Sequence, residues 1–252
     1  MSGHSKWATI KHKKGAADQA RAKVFAKLIR QVEVAAREGG GDQDSNASLR
    51  TMYQKARDAS VPLDTIQRAI KRGTGELEGV TYDQITYEGY APGGVAMLVE
   101  VLTDNRNRSG SDVRNIFTKR GGSMAEPGAV GWQFHRKGVL LVDRTADEDA
   151  LMLAALDAAA EDLVDDGEAW RVVTPPSDLH AVRSAVEDAG FTVESADLTM
   201  VAANLVPLTE AGTAKQVLGL IDALEDLDDV QAVHANFDIP DDILSSCVSD
   251  EV

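Results

Sequence analysis

Four lysines, two histidines and one indole crowd the first fifteen residues, in the run Gly3-His4-Ser5-Lys6-Trp7-Ala8-Thr9-Ile10-Lys11-His12-Lys13-Lys14-Gly15. Lysines neutralise phosphates, and an indole offers a face on which a base can stack. Lys6, Trp7, Lys11, His12, Lys13 and Lys14 are therefore candidate nucleic-acid contacts, and Ser2, Gly3, Ser5 and Gly15 are small enough to thread a narrow groove. The same composition also suits a solvated basic tail with Trp7 folded back on the helices. A second set follows at helical spacing: Lys23, Lys27, Arg30 and Arg37 fall opposite the apolar residues Phe25, Leu28, Ile29, Val32 and Ala36. Lys23 and Lys27 are like charges four apart with no acid between them at helical spacing, a pair that a polyanion would relieve. Arg68, Lys71 and Arg72 extend the candidate surface. Asp104-Asn105-Arg106-Asn107-Arg108-Ser109-Gly110-Ser111-Asp112 lies between a strand and a helix. It suits a helix cap, a phosphate grip by Arg106 and Arg108, or a polar active site, in falling order of expectation.

Enzyme signatures are missing from the sequence. It holds no GxGxxG, Walker loop, HExxH or GxSxG, and Arg72-Gly73-Thr74-Gly75 lacks the Lys-Ser/Thr that a phosphate loop needs. Of the five histidines only His4 and His12 share a segment, and no carboxylates accompany them, so no metal site is expected. No cofactor is expected either, and the chain reads as a non-enzyme. Asp165-Asp166 and Asp228-Asp229 sit at element ends and read as solvated turns.

These candidates need elements to carry them. The net charge of −15 over 252 residues hides an asymmetry. Residues 1–80 hold 15 Lys/Arg against 9 Asp/Glu, residues 81–144 hold 8 against 7, and residues 145–252 hold 3 against 25. A basic end would select a polyanion while the acidic end opposes adhesion of the whole molecule. Residues 137–204 suit a basic protein partner better than RNA, since Trp170 and Phe191 are their only large aromatics and Lys137, Arg144, Arg171 and Arg183 their only cations. A single cysteine, Cys247, forms no internal disulfide. No apolar run approaches the roughly 20 residues that span a bilayer. The expected setting is cytoplasmic, without membrane contact.

Periodicity predicts helices over 18–37, 46–60 and 64–72, with Asp64 and Gln67 forming a capping box and Gly73 a stop. Beyond Gly79 the spacing predicts strands 85–90 and 95–102 across the Ala91-Pro92-Gly93-Gly94 turn, a helix over 105–120, and a strand over 130–134. Then follow strand 139–142, helix 147–160, strands 162–164 and 169–173, helix 177–189 and strand 191–200, the order of a split βαβ or ferredoxin-like unit. Helix 211–224 and strand 230–237 supply what residues 83–136 lack for a second such unit. The expected fold is α+β and multidomain: a basic helical domain over 1–80, a discontinuous ferredoxin-like domain over 81–136 and 205–242, and an acidic ferredoxin-like domain inserted at 137–204.

Three ordered motifs carry a family resemblance. Gly3-His4-Ser5-Lys6-Trp7, Ile10 to Gly15 and Asp18 to Arg30 closely resemble the opening of the YebC family. Glu88-Gly89-Tyr90-Ala91-Pro92-Gly93-Gly94-Val95 with Thr103 to Arg108 resembles its second hallmark, and Gly121-Gly122 with Val130-Gly131-Trp132-Gln133-Phe134 its third. The resemblance implies three domains, the last inserted in the second. It also implies a nucleic-acid-binding regulator. Bacterial members are described as probable transcriptional regulators that bind DNA. The mitochondrial relative is a translational activator of cytochrome c oxidase subunit I, and some bacterial members are linked to ribosomes stalled on proline-rich sequences. DNA and ribosomal RNA thus remain alternative targets.

Overall fold

The structure, a computed structural model, describes residues 18–240, 242–244 and 247. Three helices open it: α1 (Asp18–Gly39), α2 (Ala47–Asp58) and α3 (Leu63–Gly73). Their apolar stripes meet in one small core of Leu28, Val32, Ala35, Ala36, Leu49, Ala56, Val61, Ile66 and Ala69. Asn46 joins the first two helices. Its side-chain oxygen accepts the Leu49 N–H at 3.0 Å, and its amide donates to the Ala35 and Gly40 carbonyls at 2.8 Å each. A single buried side chain thus caps the start of α2 and satisfies carbonyls at the end of α1. Gly73 lets α3 cross α1 closely, because a Cβ there would collide with the Glu33 carbonyl and the Ala36 side chain. The capping box is not formed. α3 begins at Leu63 behind Pro62, with no side-chain cap, and Asp64 stands inside its first turn. A proline already fixes the entry backbone and leaves the cap position without an accepting side chain.

The chain then builds two antiparallel four-stranded sheets. The first contains β1 (Asp83–Tyr90), β2 (Ala96–Thr103), β3 (Ser123–Ala125) and β9 (Val230–Ala235), in the order β3-β1-β2-β9, with α4 (Arg106–Lys119) and α7 (Ala211–Glu225) on one face. The second contains β4 (Phe134–Asp143), β5 (Asp162–Asp165), β6 (Ala169–Thr174) and β7 (Val193–Ala202), in the order β5-β6-β4-β7, with α5 (Glu148–Asp157) and α6 (Leu179–Asp188) against it. A two-stranded parallel pair joins β8 (Val206–Pro207) to β10 (Phe237–Asp238). In the second sheet the order βαββαβ holds as expected. The first has the same spatial plan with one change. β2, α4, β3, α7 and β9 match β4, α5, β5, α6 and β7, but β1, in the place of β6, comes first in the chain.

The nearly continuous apolar run of 95–102 now has its cause. β2 is central and buried on both faces. Met97, Val99 and Val101 face the helices, while Ala96 and Leu98 pack on Val130 and Phe134 with Met200 and Ala202 of the second sheet. The strand expected at 130–134 is instead a 3₁₀ turn at Gly131–Gln133 leading into β4. Its alternation reflects Val130 and Phe134 both entering the inter-sheet core. Strand 230–237 is interrupted at Asn236, whose carboxamide oxygen accepts the Ala96 N–H at 2.7 Å and whose amide donates to Gln133 at 3.0 Å. Among the described residues no helix is long and apolar enough to cross a membrane.

A candidate nucleic-acid interface

The cations of α1 meet an unexpected neighbour. α7 ends at Glu225 with Asp222 and Glu225 in its last turns and no basic residue there, so its own sequence leaves the negative end of the helix uncompensated. α1 provides the compensation. Lys27 Nζ donates to the Glu225 carbonyl at 2.6 Å, Lys23 Nζ to the Asp226 carbonyl at 3.3 Å, and Arg30 Nη1 to the Asp228 carbonyl at 2.9 Å. Burial lowers the Lys27 pKa; the Glu225 carboxylate works against that shift without cancelling it. The polyanion that relieves the Lys23–Lys27 pair is therefore this chain's own acidic turn, and the stripe read as an open face is half closed. Arg30 also lies 5.8 Å from the Tyr82 ring centre.

Asp229 is the hub of that turn. One oxygen accepts from Arg108 at 2.8 Å, Ser109 at 2.7 Å and Thr103 at 3.0 Å, and the other lies 3.2 Å from Arg30. Burial would raise its pKa, but the hydrogen bonds from Arg108, Ser109 and Thr103 outweigh it and hold the carboxyl below its ordinary range. Read from sequence as a solvated turn, Asp229 instead ties α1, β2 and α4 together. Asp166, read the same way, is buried and paired with the buried Arg171 at 2.8 Å. The Asp229 partners lie over a hundred residues away, beyond what spacing can signal, whereas Arg171 is five residues from Asp166 across the β5–β6 turn and that pair was within reach of a sequence reading.

The remaining candidates divide in the same manner. Arg37 and Arg72 both grip the buried Glu33, at 3.3 and 2.9 Å, and Arg37 also donates to the Val80 carbonyl. Asn105 caps α4 by accepting the Arg108 N–H at 3.1 Å, as the capping reading requires. Arg108 spans Asp104 and Asp229, and Arg106 lies 4.0 Å from Asp83 with both side chains exposed. By contrast, among the described residues no ion pair reaches Arg68 or Lys71, which project with Gln67 from the exposed side of α3 while Ile66, Ala69 and Gly73 face inward. α2 and α3 are joined by the four residues Ala59 to Pro62, turning at Ser60 with a φ of 63°. Lys6, Trp7, Lys11, His12, Lys13 and Lys14 lie outside the described residues.

A second clamp escaped the sequence reading. The Glu88 carboxylate accepts three backbone N–H groups, from Gly128 at 2.7 Å, Val130 at 2.7 Å and Gly131 at 2.8 Å. Its pKa is lowered, because those three bonds together outweigh the opposing effect of burial. The second and third sequence hallmarks are thus fastened to each other. Among the described residues no group of three or more His, Cys, Asp or Glu side chains is placed to hold a metal ion.

Comparison with known proteins agrees over nearly the whole chain. Residues 5–76 match the model of the TACO1/YebC protein N-terminal domain, and residues 82–237 that of the TACO1/YebC second and third domain. A protein of Rubrobacter xylanophilus named probable transcriptional regulatory protein is 58% identical over 247 residues, 97% of this chain and 98% of that one. A protein of the same name from Halothermothrix orenii is 53% identical with the same coverage of both. The crystal structure of a conserved hypothetical protein from Aquifex aeolicus superposes with a TM-score of 0.82 at 44% identity, covering 90% of this chain and 94% of that one.

Proposed function

This chain belongs to the TACO1/YebC family, and on that premise we propose that it is a nucleic-acid-binding regulator of gene expression, acting on DNA as a transcriptional regulator. Its relatives' names point to transcription. The observation that carries the reading is the exposed side of α3 behind a short turn from α2, where Gln67 stands with Arg68 and Lys71 and, among the described residues, no ion pair engages either cation. Two helices joined by a tight turn, the second presenting Arg, Lys and Gln, suit a helix laid in a major groove. The lysines among residues 1–17 would add phosphate contacts.

A second reading, a translation factor bound to ribosomal RNA, draws on a different feature. Met152, Leu153 and Leu156 are exposed on α5 among Asp147, Glu148, Asp149 and Asp157. An apolar patch ringed by acids suits a basic protein neighbour, which a ribonucleoprotein offers.

Crosslinking in growing cells, with both DNA and RNA sequenced, separates the two. Promoter DNA joined at residues 63–72 supports the first. Ribosomal RNA joined at residues 1–37 replaces it with the second. With the enriched nucleic acid in hand, Arg68→Ala/Lys71→Ala should reduce the slope of log affinity against log salt by about 1.4–1.8, from two phosphate contacts at about 0.7–0.9 each. An unchanged slope removes α3 from the interface.

A further inference from the structure

Two of the three hallmark segments found in the sequence converge at a place that the interface above does not use. Trp132 is 68% exposed and Tyr90 37%, and both reach one atom, the Ala129 carbonyl oxygen. The indole N–H donates to it at 3.2 Å, and the Tyr90 hydroxyl stands at 3.5 Å. An indole left this open on a loose loop would lose binding energy to ordering. Here the ordering is built in, because Glu88 holds Gly128, Val130 and Gly131 from the strand that carries Tyr90, and Val130 is fully buried between the sheets. The Gly121-Gly122 step lies against the same strand end. A Cβ on Gly122 would come within 2.7 Å of the Tyr90 carbonyl, and one on Gly121 within 3.6 Å of Pro92 Cγ. That step is preceded by Lys119 and Arg120, exposed at the end of α4, and among the described residues no ion pair engages either.

We propose that Tyr90 and Trp132, held by the Glu88 clamp, form a stacking site for unpaired bases of a single-stranded or looped nucleic acid, with Lys119 and Arg120 on the chain segment that runs into the Gly121-Gly122 step against the Tyr90 strand end. Such strands require exposed rings for the bases and cations within reach for the phosphates, and the segment ending at Gly122 brings two cations to the layer behind the ring-bearing strand. A paired duplex hides its base faces and would gain only the cations. The site rests on the nucleic-acid reading above but is separate from α3.

The test uses the full chain with two fluorescein-labelled probes, a 12-nucleotide single-stranded RNA and a 12-base-pair DNA duplex, read by anisotropy. Trp132→Ala should weaken single-strand binding about five- to a hundredfold, leave duplex binding unchanged, and keep the salt slope, since no phosphate contact is lost. Trp132→Phe should restore most of the affinity, which a merely structural role would not predict, and a far-UV melt of each variant checks the fold. Lys119→Ala/Arg120→Ala should instead lower the single-strand salt slope by about 1.4. Equal single-strand binding by Trp132→Ala and the parent chain overturns the stacking site and leaves the α3 reading standing; the exposed indole would then belong to a protein contact. Duplex binding without single-strand binding by the parent chain also overturns the stacking site alone. Failure of the parent chain to bind either probe overturns both readings.

Discussion

α1 and α3 cross in one three-helix bundle and carry cations at similar density, yet those cations meet opposite fates. On α1, Lys23, Lys27 and Arg30 close the C-terminal end of α7, and Arg37 holds Glu33. On α3, Arg72 joins Glu33, but Arg68 and Lys71 stay open to solvent. The difference follows from what each helix faces. α1 lies between its own bundle and the first sheet, so its polar side meets a helix end that lacks a positive charge of its own. The outer side of α3, which carries Arg68 and Lys71, meets no ion-pair partner among the described residues. A count of basic residues along a sequence therefore measures potential for polyanion binding; the fold decides how much of it remains for a partner.

The comparison breaks most directly at Asp229. Asp229→Ala strips four donors of their acceptor and should lower stability by about 2 kcal/mol, the discounted loss of a partly buried, charge-assisted cluster. It should also remove one of the carboxylates that neutralise Arg30 and Arg108, leaving Arg108 on Asp104 and Arg30 on the Asp228 carbonyl, so its salt slope for nucleic acid should steepen slightly while its urea midpoint falls. An unchanged midpoint would show that the turn is not what joins α1 to the first sheet. A subtler break comes from acid. Asp229 and Glu88 have pKa values lowered by folding, so the stability they contribute is fully present above their ordinary values of 3.8 and 4.5 and is lost as pH falls through the lowered ones. Urea midpoints should fall between pH 5 and pH 3, and Asp229→Asn should flatten part of that fall. The smallest effect belongs to Lys27→Met. It removes a partly desolvated charge and one hydrogen bond together, and should change stability by less than about 1 kcal/mol in either direction. Its nucleic-acid salt slope should match that of the parent chain, in contrast with Arg68→Ala/Lys71→Ala.

Much of this architecture was legible in the sequence because it rests on local period. The three helices, the β1–β2 hairpin across Pro92-Gly93-Gly94 and the βαββαβ order of the second sheet all follow from spacing and turn residues. β3 was missed because three residues show no period, and its pairing with β1 is fixed by the Gly121-Gly122 turn and Phe117 beneath it. Asp64 misled because capping chemistry was counted without the competing effect of Pro62 on the helix start. The site was less legible. Asp229 and Glu88 act through partners that only the fold brings near, and Asp166, though five residues from Arg171, sits in a turn where a carboxylate looks the same in sequence whether it meets water or an arginine. The cations were found readily, but their division into engaged and open sets is a property of packing.

The way the second sheet enters and leaves the first has a consequence for how the chain folds. Phe134 pairs with Ala202, and the Ala203 N–H donates to the Gln133 carbonyl at 2.8 Å, so the intervening chain departs and returns at adjacent points. As an unfolded loop of about 70 residues, this segment would make joining β3 to α7 about 2–3 kcal/mol harder in entropy than a short connection would. Folded first, it is a clip whose two ends already touch, and the first sheet then closes as though its strands were sequence neighbours. The order of events that suits this topology runs from the middle of the chain outward, with the inserted sheet forming before the one that encloses it.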